Sequence, residues 1–156
     1  MWQIPSVNDK ITIPSATVEL LNDPIASAIN IHCPSEIINR KKHANSENLT
    51  IDDNGIRSLI EDQCYRSAIA LTSRLLANYG QGLNQKGQGI KHSLHSLQLW
   101  YTRISLLIKI GEYETARKEA EPFGQLNNSD MFYDFLEPQS FNSKKGSLPS
   151  FSFRLL

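Results

Sequence analysis

Sulfur is scarce in this chain. Only two cysteines, Cys33 and Cys64, occur among 156 residues, too few for a disulfide framework or a metal knot, so both are read as reduced thiols. A surplus of either charge is lacking too, because 16 Lys+Arg balance 16 Asp+Glu. That leaves no basic field to gather nucleic acid and no acidic field to steer a basic partner. No window nears the roughly 20 apolar residues of a membrane-spanning helix. The opening Met1-Trp2-Gln3-Ile4-Pro5 has neither the basic patch nor the apolar core of a signal peptide. The expectation is a cytoplasmic chain of one domain's length with no direct membrane insertion. Neither G-x-x-x-x-G-K-S/T nor G-x-G-x-x-G is present, and Gly87-Gln88-Gly89 reads as a loop, so no cofactor or small-molecule ligand is expected.

What is present is helical periodicity, and it starts late. Residues 1–50 hold short apolar islands that Pro5, Pro14, Pro24 and Pro34 interrupt, with polar runs such as Asn39-Arg40-Lys41-Lys42-His43. This segment is expected to be mostly irregular or disordered. From Asp52-Asp53 onward a cap precedes Ile56, Leu59 and Ile60. Apolar or small residues at 65, 68, 69, 72, 75, 76 and 79 predict a helix that stops at Gly80. After a Gly-rich connection, Leu94, Leu97, Trp100, Tyr101, Ile104, Leu107 and Ile108 predict a second long helix ended by Gly111, and Glu112–Glu121 a third, closed by Pro122 and Gly124.

Tyr65-x-x-Ala68 and Tyr113-x-x-Ala116 each open the second helix of a pair, 48 residues apart (65 to 113). A small Ala lets crossing helices approach to about 8–10 Å while an aromatic fills the neighbouring hole. Tetratricopeptide repeats use this device with a 34-residue period, and Trp100, Ile104, Gly111, Tyr113, Ala116 and Ala120 fall at that spacing. The first hairpin has Gln63 where the turn glycine is expected. The fold class is therefore all-α: tetratricopeptide-like helical hairpins, an α-solenoid fragment over residues 51–156. Tyr65, Ala68, Trp100, Ile104, Gly111, Tyr113, Ala116 and Ala120 are expected to form its packing seam. Two repeats cannot cover their own apolar ends. A third is expected to begin at Phe151, Phe153, Leu155 and Leu156, with Ser147 as cap and Pro149 in the first turn, so the repeat domain reads as truncated at its C-terminal end.

Several runs go further. Ser96-Leu97-Gln98-Leu99-Trp100, Leu106-Leu107-Ile108-Lys109-Ile110-Gly111, Glu121-Pro122-Phe123-Gly124-Gln125-Leu126 and Gly146-Ser147-Leu148-Pro149-Ser150-Phe151-Ser152-Phe153-Arg154 resemble the subunit 12 family of the trafficking protein particle (TRAPP) tethering complex. The resemblance implies a non-catalytic scaffold of the TRAPPIII assembly whose partners are other TRAPP subunits. It further implies action in endoplasmic reticulum to Golgi transport and autophagy, and a peripheral location at the intermediate compartment and Golgi. The nucleotide-exchange surface of that complex belongs to other subunits, so no catalytic residue is carried over.

Other clusters read blandly. His92 and His95 stand at i, i+3 without a third ligand, and are expected to be surface polar residues at a helix start rather than a metal site. Asp52, Asn54, Gly55 and Glu61 partly mimic a calcium loop, but Thr50 and Arg57 stand where an Asp and an apolar residue are required, so a helix cap is expected. Cys64, with no nucleophile motif around it, is expected to be a packed or half-buried thiol. Phe132, Tyr133 and Phe135, with Phe141, Phe151 and Phe153, form an aromatic run without a helical stripe. It reads either as a loop folded back on the repeats or as an anchor for a partner subunit. A peptide-binding adaptor of the co-chaperone type is the alternative function. The inner positions Gln98, Tyr101 and Ser105, with Lys109 the sole cation, suit it poorly.

Overall fold

A computed structural model describes residues 14–18, 21, 24–32, 50–83, 92–127, 131–133 and 146–156. Its helices are α1 (Pro24–His32), α2 (Asp53–Glu61), α3 (Tyr65–Ala77), α4 (Leu94–Lys109), α5 (Tyr113–Ala120) and α6 (Phe151–Leu155), with a 3₁₀ turn at Glu121–Phe123. The architecture is all-α. Among the described residues the only β pairing is an isolated antiparallel bridge between Phe132 and Ser147.

The α2/α3 pair and the α4/α5 pair are hairpins that stack through α3 and α4. Their helix starts follow ordinary capping chemistry. Asp52 accepts the Gly55 amide at 2.8 Å through Oδ1. The Thr50 hydroxyl, at 2.6 Å, and that amide hold the Asp52 carboxyl below its usual pKa range because both favour the charged form. A Cβ at Gly55 would stand 2.0 Å from the Thr50 carbonyl oxygen, so the turn excludes larger residues. Ser93 and Ser96 form a reciprocal capping box at α4. The expected calcium-loop look-alike is thus a helix cap.

The two hairpin turns are geometric copies 48 residues apart. Asp62 and Ile110 share φ/ψ of −77/2° and −91/2°; Cys64 and Glu112 share −82/54° and −84/58°. The Cys64 amide donates to Leu59 O at 2.7 Å, and the Glu112 amide to Leu107 O at 2.9 Å. Between them Gln63 adopts φ 60°, and Gly111 φ 84°. Gln63 therefore occupies the left-handed position that glycine fills in the second hairpin. For an L-residue this conformation costs about 1–2 kcal/mol, part of which glycine's greater chain entropy offsets. Gln63→Gly is expected to raise stability by about 0.5–1 kcal/mol and Gly111→Ala to lower it by about 1 kcal/mol in urea unfolding. A change of the same sign in both variants would show that the two turns are not equivalent.

Three expectations differ from the structure. Within the N-terminal 50 residues, α1 is a helix that begins at Pro24 itself. Proline is tolerated at a first helical position because its missing N–H has no intrahelical acceptor there. At the C-terminal end, Ser150 rather than Ser147 caps α6, accepting the Phe153 amide at 3.2 Å, so Pro149 precedes the helix instead of lying in its first turn. Ser147 joins the bridge to Phe132 and donates to Pro149 O at 3.1 Å. The third difference, at Tyr113, concerns the site below.

Candidate interaction surface

The seam expected from the sequence lies mostly in the core. Ala68, Trp100, Ile104 and Ala116 are buried; Tyr65 and Ala120 are half-buried against them. Gly111 forms the α4/α5 turn. Tyr113 departs from this, at 64% exposed, although it matches Tyr65 in sequence and in turn geometry. The reason is what comes next: α4 follows α3 and places Lys109 Nζ 5.1 Å over the Tyr65 ring, whereas nothing comparable covers Tyr113 among the described residues. Tyr113 instead rims a cleft of about 370 Å³ lined by Ile104, Ile108, Ala116, Phe123, Leu126 and Phe153, among others.

An aromatic chain closes the floor of this cleft. Phe123 meets Trp100 edge-on (5.6 Å, 79°) and Phe153 edge-on (5.4 Å, 85°). Phe153 meets Tyr101 at 6.1 Å. Phe153 is only 6% exposed, so its expected place among partner-contact residues is corrected: it is core, drawn in by Phe123. Phe151, on the other side of the same short helix, is 76% exposed. Phe132 and Tyr133 are half-buried, and Tyr133 packs against the core. Phe135 and Phe141 lie outside the described residues, as does Cys33.

The histidines do not form a pair. His92 is buried and stacks on Phe123 at 5.6 Å, which corrects the expectation that it lies on the surface. His95 Nδ1 meets the Tyr79 hydroxyl at 2.6 Å, and its Nε2 meets the Asp53 carboxylate at 2.8 Å, so it ties the start of α2 to the end of α3. Among the described residues no three His, Cys, Asp or Glu side chains converge on a metal position. Cys64 is half-buried at the α2/α3 turn. Burial, and then the Asp62 charge, push its thiol pKa up, which disfavours the nucleophilic thiolate. Among the described residues no helix is long and apolar enough to cross a membrane.

Sequence reasoning missed the polar hub of the fold. Arg103 on α4 and Glu119 on α5 are both fully buried. Arg103 Nε donates to Glu119 Oε2 at 2.6 Å and Nη2 to Oε1 at 2.8 Å, a bidentate pair. Nη1 donates to Ile69 O and Ser73 Oγ, each at 2.8 Å, and Nη2 also donates to Val18 O. Those contacts use all five guanidinium N–H groups. Glu119 Oε1 further accepts the Thr17 amide at 2.7 Å and hydroxyl at 2.8 Å. One ion pair therefore joins α3, α4, α5 and the stretch 14–18. The signal was legible in principle: Arg103 lies three residues after Trp100 and four before Leu107, and Glu119 three after Ala116, so opposite charges stand on two stripes expected to face each other.

These features define a class: a stack of helical hairpins with a buried ionic hub and, among the described residues, a partly uncovered apolar end. The chain is similar to trafficking protein particle complex subunit 12 of Mus musculus and of Homo sapiens, at 39% identity over 102 residues in each case. The match covers 65% of this chain but only 13% of the mouse protein and 14% of the human one, so this chain corresponds to a small part of those relatives. The resemblance read from the Leu97–Leu156 runs is thus to a protein of that name. No protein-family model matches the chain, and no solved structure matches it significantly.

Proposed function

We propose that this chain serves as a non-catalytic scaffold subunit of a TRAPP-type vesicle-tethering complex. It belongs, in this reading, to the TRAPPIII form and acts in endoplasmic reticulum to Golgi transport and in autophagy. It works from the cytoplasm at the intermediate compartment and Golgi through contacts with other TRAPP subunits. The observation that carries the reading is the 39% identity over 102 residues to subunit 12. The tetratricopeptide character assigned to the two hairpins belongs to the same proposal, supported by their closely similar turns and by the buried Trp100 and Ala116.

The uncovered end supplies the physical means. Where α4 closes the first hairpin over Tyr65, a helix of a partner subunit closes the second over Tyr113, with Phe151 as an aromatic anchor. The co-chaperone alternative has less support. Its carboxylate clamp needs free cations on the inner face, but Arg103 is fully engaged by Glu119 and by backbone, and Lys109 lies over Tyr65.

Affinity purification of the tagged chain from cells tests this. Other TRAPP subunits are expected to co-purify, and the double variant Tyr113→Asp/Phe151→Asp is expected to lose them with an unchanged melting temperature, since both side chains are largely exposed. Recovery of chaperones without tethering subunits would place the clamp reading first.

A further inference from the structure

The stretch from Pro14 to Val18 lies in the hairpin stack as a bound peptide would. It contains no helix, and its burial alternates as in an extended chain: Pro14 and Ala16 are buried, while Thr17 is exposed. Three consecutive residues are read through groups on different helices. The Ala16 amide donates to Gln81 O, just beyond α3, at 3.1 Å. The Thr17 amide and hydroxyl both donate to Glu119 Oε1 of α5. Val18 O accepts from Arg103 Nη2 of α4 and, at 3.2 Å, from Ser73 Oγ of α3.

We propose that this hub is a binding site for an extended peptide of the type Pro-x-Ala-Thr-x, occupied in cis by the chain's own residues 14–18. The recognition is chemical and local. Arg103 and Glu119 are fully buried and hold each other in place by the bidentate pair; the second Nη2 hydrogen faces the peptide, as does Glu119 Oε1, which Arg103 and Thr17 share. Carbonyl and amide are thereby read in a fixed direction and register. Ala16 is buried to 2% exposure, so a larger side chain at that position of the peptide is excluded. The Thr17 hydroxyl selects a residue that can donate to a carboxylate. The proposal does not depend on the TRAPP assignment. Because tethering supplies an effective concentration of about millimolar, a matching peptide from another protein enters only when the cis segment is unseated.

The test uses the full chain and a fluorescent synthetic peptide spanning Ile11 to Leu21. The wild-type chain is expected to bind it weakly, and the Ala16→Glu chain at least about tenfold more tightly, because the cis copy no longer fits. The same peptide carrying Thr17→Val is expected to bind that chain at least about tenfold more weakly, having lost the hydroxyl donor to a buried charge. Absence of tighter binding to the Ala16→Glu chain, whether or not that variant is destabilised, overturns the proposal. Hydrogen exchange on the wild-type chain gives an independent readout. The Ala16 and Thr17 amides are expected to exchange at least about tenfold faster than the buried amides of α4, as an occupant that opens locally must. Equal protection would make the stretch a fixed part of the core and overturn the proposal as well.

Discussion

Arg103→Met is expected to cost about 3–5 kcal/mol of folding stability, because it leaves the Glu119 carboxylate buried without its counter-charge. A chain of this size has only about 5–15 kcal/mol in total, so the variant should be largely unfolded a little above room temperature. The buried geometry is what makes the effect large. Glu119 has no exposed surface, and two of its four hydrogen bonds come from Arg103, two from Thr17. Arg103→Lys is expected to recover little, since an ammonium cannot reproduce a fork that meets Glu119, Ile69 O, Ser73 and Val18 O together. The double variant Arg103→Met/Glu119→Leu is expected to be more stable than Arg103→Met alone, because it removes the orphaned charge rather than stranding it. Urea unfolding followed by far-UV circular dichroism measures all three. A loss below about 1 kcal/mol for Arg103→Met would mean that water reaches Glu119.

The double variant also separates stability from the cis-peptide contact. Removing both charges deletes the Thr17 anchor and the Arg103 contact to Val18 O, leaving only the Ser73 hydroxyl on that carbonyl. If the helices fold and the Ala16 and Thr17 amides lose protection, the hub's role is to hold the extended stretch. If folding itself is lost, the ion pair orders the hairpins. The first outcome is expected, because α3, α4 and α5 already bury Ile69, Leu76, Leu97, Trp100, Leu107 and Ala116 against one another without help from the charges.

How legible these features are depends on whether their cause is local. The helices follow from period 3.6 in the apolar residues, and their ends from Asp52, Ser93 and Gly111, all of which act within one turn of themselves. The equivalence of the two hairpin turns was harder to read, because Gln63 hides the left-handed position that Gly111 advertises. The difference between Tyr65 and Tyr113 was not legible: each opens a Tyr-x-x-Ala helix start, and what separates them among the described residues is Lys109, which lies over the Tyr65 ring from a later helix. Phe153 and Phe151 show the same limit in a shorter space, since a five-residue helix is too brief for periodicity to say which ring turns inward. The hub was missed for another reason. A charged residue on an apolar stripe is ordinarily read as an interruption, and Thr17, 102 residues from Glu119 in sequence, offers no pattern that would pair the two.

Trp100→Ala is expected to destabilise the chain by about 3–5 kcal/mol, the range for deleting a large buried aromatic that leaves a cavity. Trp100 is fully buried and does two separable things. Its ring fills the space beside Phe123, meeting it edge-on, and its indole Nε1 donates to Gln81 Oε1 at 2.7 Å, also fully buried. Trp100→Phe keeps most of the packing and removes the donor, so its cost is expected to be about 1–3 kcal/mol, mainly for the stranded Gln81 oxygen. Adding Gln81→Leu to Trp100→Phe is expected to reduce that cost by removing the unpaired acceptor, and in Trp100→Ala to recover the same polar part while the cavity part of the loss remains. Circular dichroism in urea is the suitable probe, since the substitution removes one of the two tryptophans on which fluorescence would depend. Loss of Trp100 also loosens Phe123 and through it Phe153, so the floor of the Tyr113 cleft depends on this residue. If the cleft receives a partner helix, Trp100→Ala should weaken that association more than its effect on folding accounts for, whereas a cleft with no occupant predicts no change in co-purification beyond the fraction unfolded.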